Sequence, residues 1–407
     1  MNRNPSVLKW HVLVGCFLSY LFDALEIIVL VIALPDITQS LQITQTQAGL
    51  LVTATLLGIG FSSIIMGKVA DTLGRRPALL LSLASFGLLT MATAGASEWY
   101  QFLTLRFLAG LGLGGVWSIA AAYVNETWPS HQRARATSFV LSAFSLGAAL
   151  AAAMAAYLLP LYGWRVLFFI SGAMVSIAMV YVWFCVPESK AWLAQRADRQ
   201  QSAANLSELF SPVLRRKTLL GTLASALVLT AYWGSMTWLP TFLVAERGLD
   251  AATMAGFMVL LNAGAFLGYN AFGLLADFIG KKRTIIISLT GSGLMLPVYT
   301  VATDHASLLI IGPVFAFFLA FVGLAAAYFA EMFPTHLRAT GTGFCFNVGR
   351  GISAFAPLAL GSAATVLGFA TSIALCGALF LLAAGVIALL PTDISIRNAD
   401  LSILKAV

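Results

Sequence analysis

The chain has 407 residues, of which 60% are hydrophobic and 10% charged, and its net charge is +7; the mean hydropathy is +0.91. A water-soluble domain carries roughly 25% charged residues, so this composition leaves too few polar groups to cover a soluble surface and points to a chain that lies in a bilayer. The basic excess sits mainly in loops that fall on one side of the predicted spans, which sets topology and excludes a nucleic-acid surface.

A spanning helix takes roughly 20 mainly apolar residues. The first such run, 11–34, contains Asp23 and Glu26, so it reads as a retained span and not as a cleaved leader. The two acids are three residues apart and share one helical face. Carboxylates this close do not ionise together easily, and a carboxyl group so placed can load a proton on one side and release it on the other. The second run, 47–70, leads into GKVADTLGRR, which holds Gly67, Asp71, Gly74, Arg75 and Arg76. A third run, 77–97, is followed by a fourth, 102–124, with Arg106 at the head of RFLAGLGLGGVW. Its glycines let helices approach closely. Arg106 sets a permanent cation near the first-helix acids, and two readings stand, proton coupling or a structural ion pair. YVNETWPSHQRA, with Glu126 and Arg133, closes this run, and 136–160 and 164–186 follow.

The segment 187–217 carries Glu188, Lys190, Arg196, Arg199, Arg215, Arg216 and Lys217 and reads as a cytoplasmic linker. Beyond it come 218–243, 254–276, 284–302, 307–330, 341–366 and 370–391. The expected organisation is a six-helix bundle over 1–186, the linker, and a second six-helix bundle over 218–407. Arg350 lies in FCFNVGRGISAFAP. A guanidinium at that depth suits a carboxylate, because its forked donors match two oxygens; a substrate anion and Asp23 or Glu26 are rival partners. Tyr20, Trp117, Tyr232, Trp233, Asn262 and Asn347 are further candidates to line a cavity, although a lone ring or amide in a helix is also ordinary packing.

The two halves repeat each other. GLLADFIGKK, with Gly273, Asp277 and Gly280, stands 206 residues after GKVADTLGRR, and YFAEMFPTHLRA, with Glu331 and Arg338, stands 205 residues after YVNETWPSHQRA. Two motifs at nearly one offset imply duplicated halves about a pseudo-twofold axis along the membrane normal. Glu126 with Arg133, and Glu331 with Arg338, place opposite charges at helix ends and are expected to pair across the halves. Gating the cavity and anchoring the topology are both open roles for these loops. With both termini cytoplasmic, nineteen of the twenty-three lysines and arginines fall on the cytoplasmic side. Cys16, Cys185, Cys345 and Cys376 are scattered through apolar stretches and show no metal-ligand spacing. No nucleophile–base pair, phosphate loop or cofactor motif is evident, so neither an enzyme nor a cofactor nor a metal is expected.

The doubled Gly-x3-Asp-x2-Gly-basic-basic loop resembles the signature of the major facilitator superfamily, and the resemblance covers the whole chain. It implies an all-α membrane protein of twelve helices in two six-helix bundles, working by alternating access. YLFDALEIIVL resembles the Asp-Gly-x-Asp signature of acid:proton symporters, with Ala24 and Glu26 in place of the glycine and second aspartate. The stretches around Glu126, Trp164 and PESKAWL are similar to the sialate- and carboxylate-transporting proton symporters, with the aromatic-acid symporters as close relatives. The resemblance implies a monomeric transporter in a plasma membrane, the inner membrane of a bacterium. Its cargo would be a small organic anion such as a sugar acid, an aromatic acid or another carboxylate, carried with protons. The alternative is a proton-coupled drug or metabolite exporter, which usually has a Gly-Pro motif in the fifth helix, where this chain has no interior proline.

Overall fold

The computed structural model describes residues 5–129, 133–190, 192–193, 206–334 and 337–391. The described residues are helical, with no strand among them. In chain order the helices are α1 (Pro5–Ser40), α2 (Gln45–Leu73), α3 (Arg75–Thr93), α4 (Trp99–Leu113), α5 (Val116–Thr127) and α6 (Arg133–Cys185). After a short 3-10 turn (Leu206–Phe210) come α7 (Arg215–Ala245), α8 (Ala251–Ile279), α9 (Lys281–Val301), α10 (His305–Phe317), α11 (Phe321–Met332), α12 (Arg338–Ser353), α13 (Ala356–Leu367) and α14 (Phe369–Ala388).

Ten stretches among the described residues are long and apolar enough to cross a membrane. One of them, Phe139–Cys185, is 47 residues long, about 70 Å of helix, which cannot fit straight into a hydrocarbon layer about 30 Å thick. It folds back at Gly163, whose φ of 73° only a glycine adopts easily, and so makes two crossings. With α2, a helix of 29 residues, the crossings reach the twelve expected. Three are broken: α4 passes into α5 at Gly114–Gly115, α10 into α11 at residues 318–320, and α12 into α13 at residues 354–355.

The helices are inside out relative to a soluble protein. On α3, Ser82, Thr90 and Thr93 are buried while Leu81 and Leu88 are exposed; on α9, Ser288 and Ser292 are buried while Ile287 and Leu294 are exposed. Lipid is as apolar as leucine, so contacts between helices rest on close approach and hydrogen bonds more than on hydrophobic burial. Gly58 of α2 meets the Phe107 carbonyl of α4 so closely that a Cβ would collide with it, and Gly264 of α8 meets the Pro313 carbonyl of α10 in the same way. Both residues of the second pair lie 206 positions after their counterparts.

The repeat extends to the loops. Gly74 (φ 110°) and Gly280 (φ 87°) turn the chain between α2 and α3 and between α8 and α9. Arg75 grips Glu126 with Nη2 at 2.7 Å and Nε at 3.1 Å, and Lys281 pairs with Glu331. The next basic residue caps the last crossing of its half: Arg76 donates to the Trp183 carbonyl, and Lys282 to the carbonyls of Ala388 and Leu390. The Tyr123 hydroxyl donates to the Pro187 carbonyl, and that of Tyr328 to Pro391. One pattern of contacts is thus used twice.

Glu126 and Glu331 therefore find their partners within their own halves and not across them, because α3 and α5, like α9 and α11, end side by side at one face. The side chains of Arg133 and Arg338, and those of Asp71 and Asp277, lie outside the described residues, as does the Gly67 position within α2. Glu188, which follows the first half, accepts from the backbone N–H of Arg75 at 2.9 Å and of Arg76 at 3.2 Å. It thereby caps the positive end of α3.

Between the halves, α6 lies along α8, α13 along α2, and α7 beside α1. The α2–α13 seam is tight and faces away from the Arg75–Glu126 network. A Cβ at Gly49 would stand 2.6 Å from the Pro357 carbonyl oxygen, and Thr46 and Ser362 share a hydrogen bond of 3.2 Å; within the second half, Trp238 Nε1 of α7 donates to that same Pro357 carbonyl at 2.9 Å.

Candidate functional site

A cavity opens between the halves. Its walls are contributed by α1 (Tyr20), α6 (Leu141, Phe144), α7 (Leu229, Tyr232, Trp233), α8 (Tyr269), α11 (Val322, Gly323) and α12 (Phe346, Arg350). Tyr20, Tyr232, Trp233 and Arg350 are the sequence candidates that meet here. The lining is largely apolar with few polar groups, as small-molecule sites are.

Arg350 carries the cavity's one formal charge among the lining residues. Its guanidinium lies over the Phe346 ring at 5.3 Å, and no described carboxylate forms an ion pair with it. Asp23 is 6% exposed and lies within electrostatic reach of Arg350 on one side and Glu26 on the other. Glu26 and Arg106 are both fully buried and act on one another electrostatically. Arg106 Nη2 donates to Thr90 Oγ1 at 2.6 Å and to Thr93 Oγ1 at 3.2 Å. Among the described residues its Nε and Nη1 have no hydrogen-bond partner, and Thr90 also acts on the Glu26 carboxylate. Electrostatic coupling links the four side chains in the order Arg350–Asp23–Glu26–Arg106, and Arg350 is the one that lines the cavity among the described residues. Asp23 and Glu26 stand three residues apart on α1, both buried, and neither is among the residues that line the cavity.

The remaining candidates are dispersed. Trp117 lines a smaller chamber with Tyr20, Ala120, Val124, Thr137, Val140 and Leu141, and it stacks on Phe346 at 5.9 Å with an interplanar angle of 16°. Asn262 is buried and donates to the Met258 carbonyl of its own helix at 2.8 Å. Asn347 is half-buried beside Phe346 and does not line the cavity. Phe144 and Phe346 were not candidates. Phe346 was open to discovery, because it precedes Arg350 by four residues and so shares its helical face; for Phe144, a ring in an apolar helix, no local signal exists.

Twelve crossings in two matched halves, with a cavity between them and charges buried beside it, define a membrane transporter. The model of the Major Facilitator Superfamily matches residues 16–271, and the chain belongs to that family. It is therefore an integral membrane transporter and not an enzyme. The cis,cis-muconate transport protein of Acinetobacter baylyi is 29% identical, over 85% of this chain and 85% of that one. The sialic acid transporter NanX of Escherichia coli is 28% identical, over 83% of each. A solved bacterial homologue of the human lysosomal transporter Spinster superposes with a TM-score of 0.78 at 15% identity, covering 95% of this chain and 97% of that one.

Proposed function

We propose that the protein is a proton-coupled symporter that takes up a small organic anion by alternating access. The halves 1–186 and 218–407 would rock about the linker 187–217. The observation that carries this reading is Arg350, a permanent cation in an apolar cavity with no described carboxylate paired to it. A buried charge demands a counter-ion, and a substrate carboxylate supplies one when it binds. Asp23, next in that order, competes for the same guanidinium, and a proton on Asp23 releases Arg350 to the substrate. That exchange couples the two cargoes. Glu26 and Arg106 complete the series within the first half.

The lining favours a flat, unsaturated acid over a sugar acid. Six aromatic rings and Arg350 face the space, while no Asn, Gln, Ser or Thr is among the described lining residues to meet a row of sugar hydroxyls. The muconate transport protein supports this choice, and the sialic acid transporter supports the wider class of carboxylates. The basic loop residues favour both termini in the cytoplasm, and a monomer in a bacterial inner membrane is the working assembly.

Uptake of labelled muconate or 4-hydroxybenzoate into proteoliposomes, driven by an alkaline interior, tests the proposal. Accumulation that collapses on adding a protonophore is expected. Asp23→Asn and Glu26→Gln are expected to abolish accumulation while keeping part of the substrate exchange. Gradient-driven uptake unchanged in both variants removes the coupling assignment, and accumulation driven outward instead establishes an exporter.

A further inference from the structure

Two unlike contacts join the halves on either side of the cavity. Away from the Arg75–Glu126 network the α2–α13 seam brings backbones together, at Gly49 against Pro357. Towards the network, the ring contact Trp117–Phe346 is the one aromatic pair that bridges the halves among the described residues. Its depth follows from the helices that carry it. Trp117 lies ten residues before the end of α5 and Phe346 eight residues after the start of α12, about 15 Å and 12 Å from those ends. The rings thus meet at one level, and Arg350 lies one turn deeper. Phe346 faces the main cavity and Trp117 the smaller chamber, while Tyr20 and Leu141 line both. The ring pair, with Tyr20 and Leu141, stands between the two spaces.

We propose that the Trp117–Phe346 pair is the gate between the cavity and the network face, and that the Arg350 guanidinium over Phe346 holds it shut. The proposal rests on the transport reading above and adds its exit mechanism. Phe346 has Trp117 stacked on it and the Arg350 cation at 5.3 Å from its centroid. A cation that turns to a bound carboxylate leaves the ring, because a full negative charge outcompetes a ring quadrupole. Phe346 then retains Trp117 as its ring partner among the described residues, and a single stacked pair separates readily. Substrate on Arg350 so loosens the seal through which it leaves, while the backbone seam behind it stays closed.

The test needs no substrate. In the full chain, with Cys16, Cys185, Cys345 and Cys376 replaced by alanine, Leu229→Cys places one thiol on the cavity wall. Labelling by a membrane-impermeant maleimide is followed from each face, in right-side-out and inverted vesicles. Phe346→Ala and Trp117→Ala are each expected to speed labelling from the network face about tenfold and to leave the other face unchanged, whereas Phe346→Tyr stays near the parent rate. Arg350→Met is expected to speed it about threefold by removing the cation from the ring. A parent rate in either alanine variant overturns the gate, as does acceleration from both faces, which reports a loosened fold. A parent rate in Arg350→Met overturns the part given to the cation. Failure of carboxylate uptake overturns the transport reading instead and leaves these rates to decide the gate.

Discussion

Arg350 and Arg106 are both cations within the membrane, but they differ in what surrounds them. Arg106 is fully buried, donates to two threonines, and has Glu26 as its opposing charge. Removing one member of a buried charged pair costs about 3–5 kcal/mol, because the other is left stranded. Arg106→Met is therefore expected to lower the melting temperature strongly, and adding Glu26→Gln is expected to recover part of the loss. Strictly additive effects in a thermal-melt cycle would show that the two do not interact. Arg350 instead borders open space, so its worth lies in binding. Arg350→Lys keeps the charge but loses the fork, and we expect the dissociation constant for a carboxylate to rise about tenfold, which is about 1.4 kcal/mol. Wild-type affinity by calorimetric titration would move the clamp elsewhere.

At the scale of the helix, small residues decide which elements touch. Gly264 of α8 sits against the Pro313 carbonyl of α10, whereas Gly256, two turns earlier on the same helix, has no atom within 4 Å of an added Cβ. An overpacked contact costs about 1–3 kcal/mol, while alanine in place of an unconstrained helical glycine gains up to about 1 kcal/mol. Gly264→Ala is expected to lower thermal stability and Gly256→Ala to hold or raise it; equal effects in a melting assay would place the α8–α10 contact elsewhere. Chain ends of helices are handled with the same economy. Arg247 donates to the carbonyls of Ala302 at 2.7 Å and Thr300 at 2.5 Å, and Arg165 to that of Ala96 at 3.3 Å. Each places a cation where the negative end of a helix dipole needs one.

For the whole molecule, the α2–α13 seam must part if the cavity is to open on the face away from the network. Thr46 and Ser362 are in hydrogen-bond contact there, close enough for a disulfide once both are cysteine. In a background free of other cysteines, oxidised Thr46→Cys/Ser362→Cys protein is expected to lose substrate uptake and to regain it on reduction. Full uptake by the oxidised form would show that this seam does not move.

The membrane class, the twelve crossings and the doubled loops were legible in the chain, because hydrophobic length and a repeat of 205–206 residues are properties of sequence alone. So was the nomination of Asp23, Glu26, Arg106 and Arg350, since any charge in an apolar span must answer for its cost. The partners were not. Glu126 turns to Arg75 and not across the halves, Asn262 turns back to its own helix, and Phe346 meets Trp117 from the opposite half. A side chain's neighbours in a bundle come from helices far away in sequence, and the rotation of each helix about its axis is settled only when glycines, carbonyls and rings pack together. Local pattern names the residues that need a partner, and only the packed halves decide which partner each one finds.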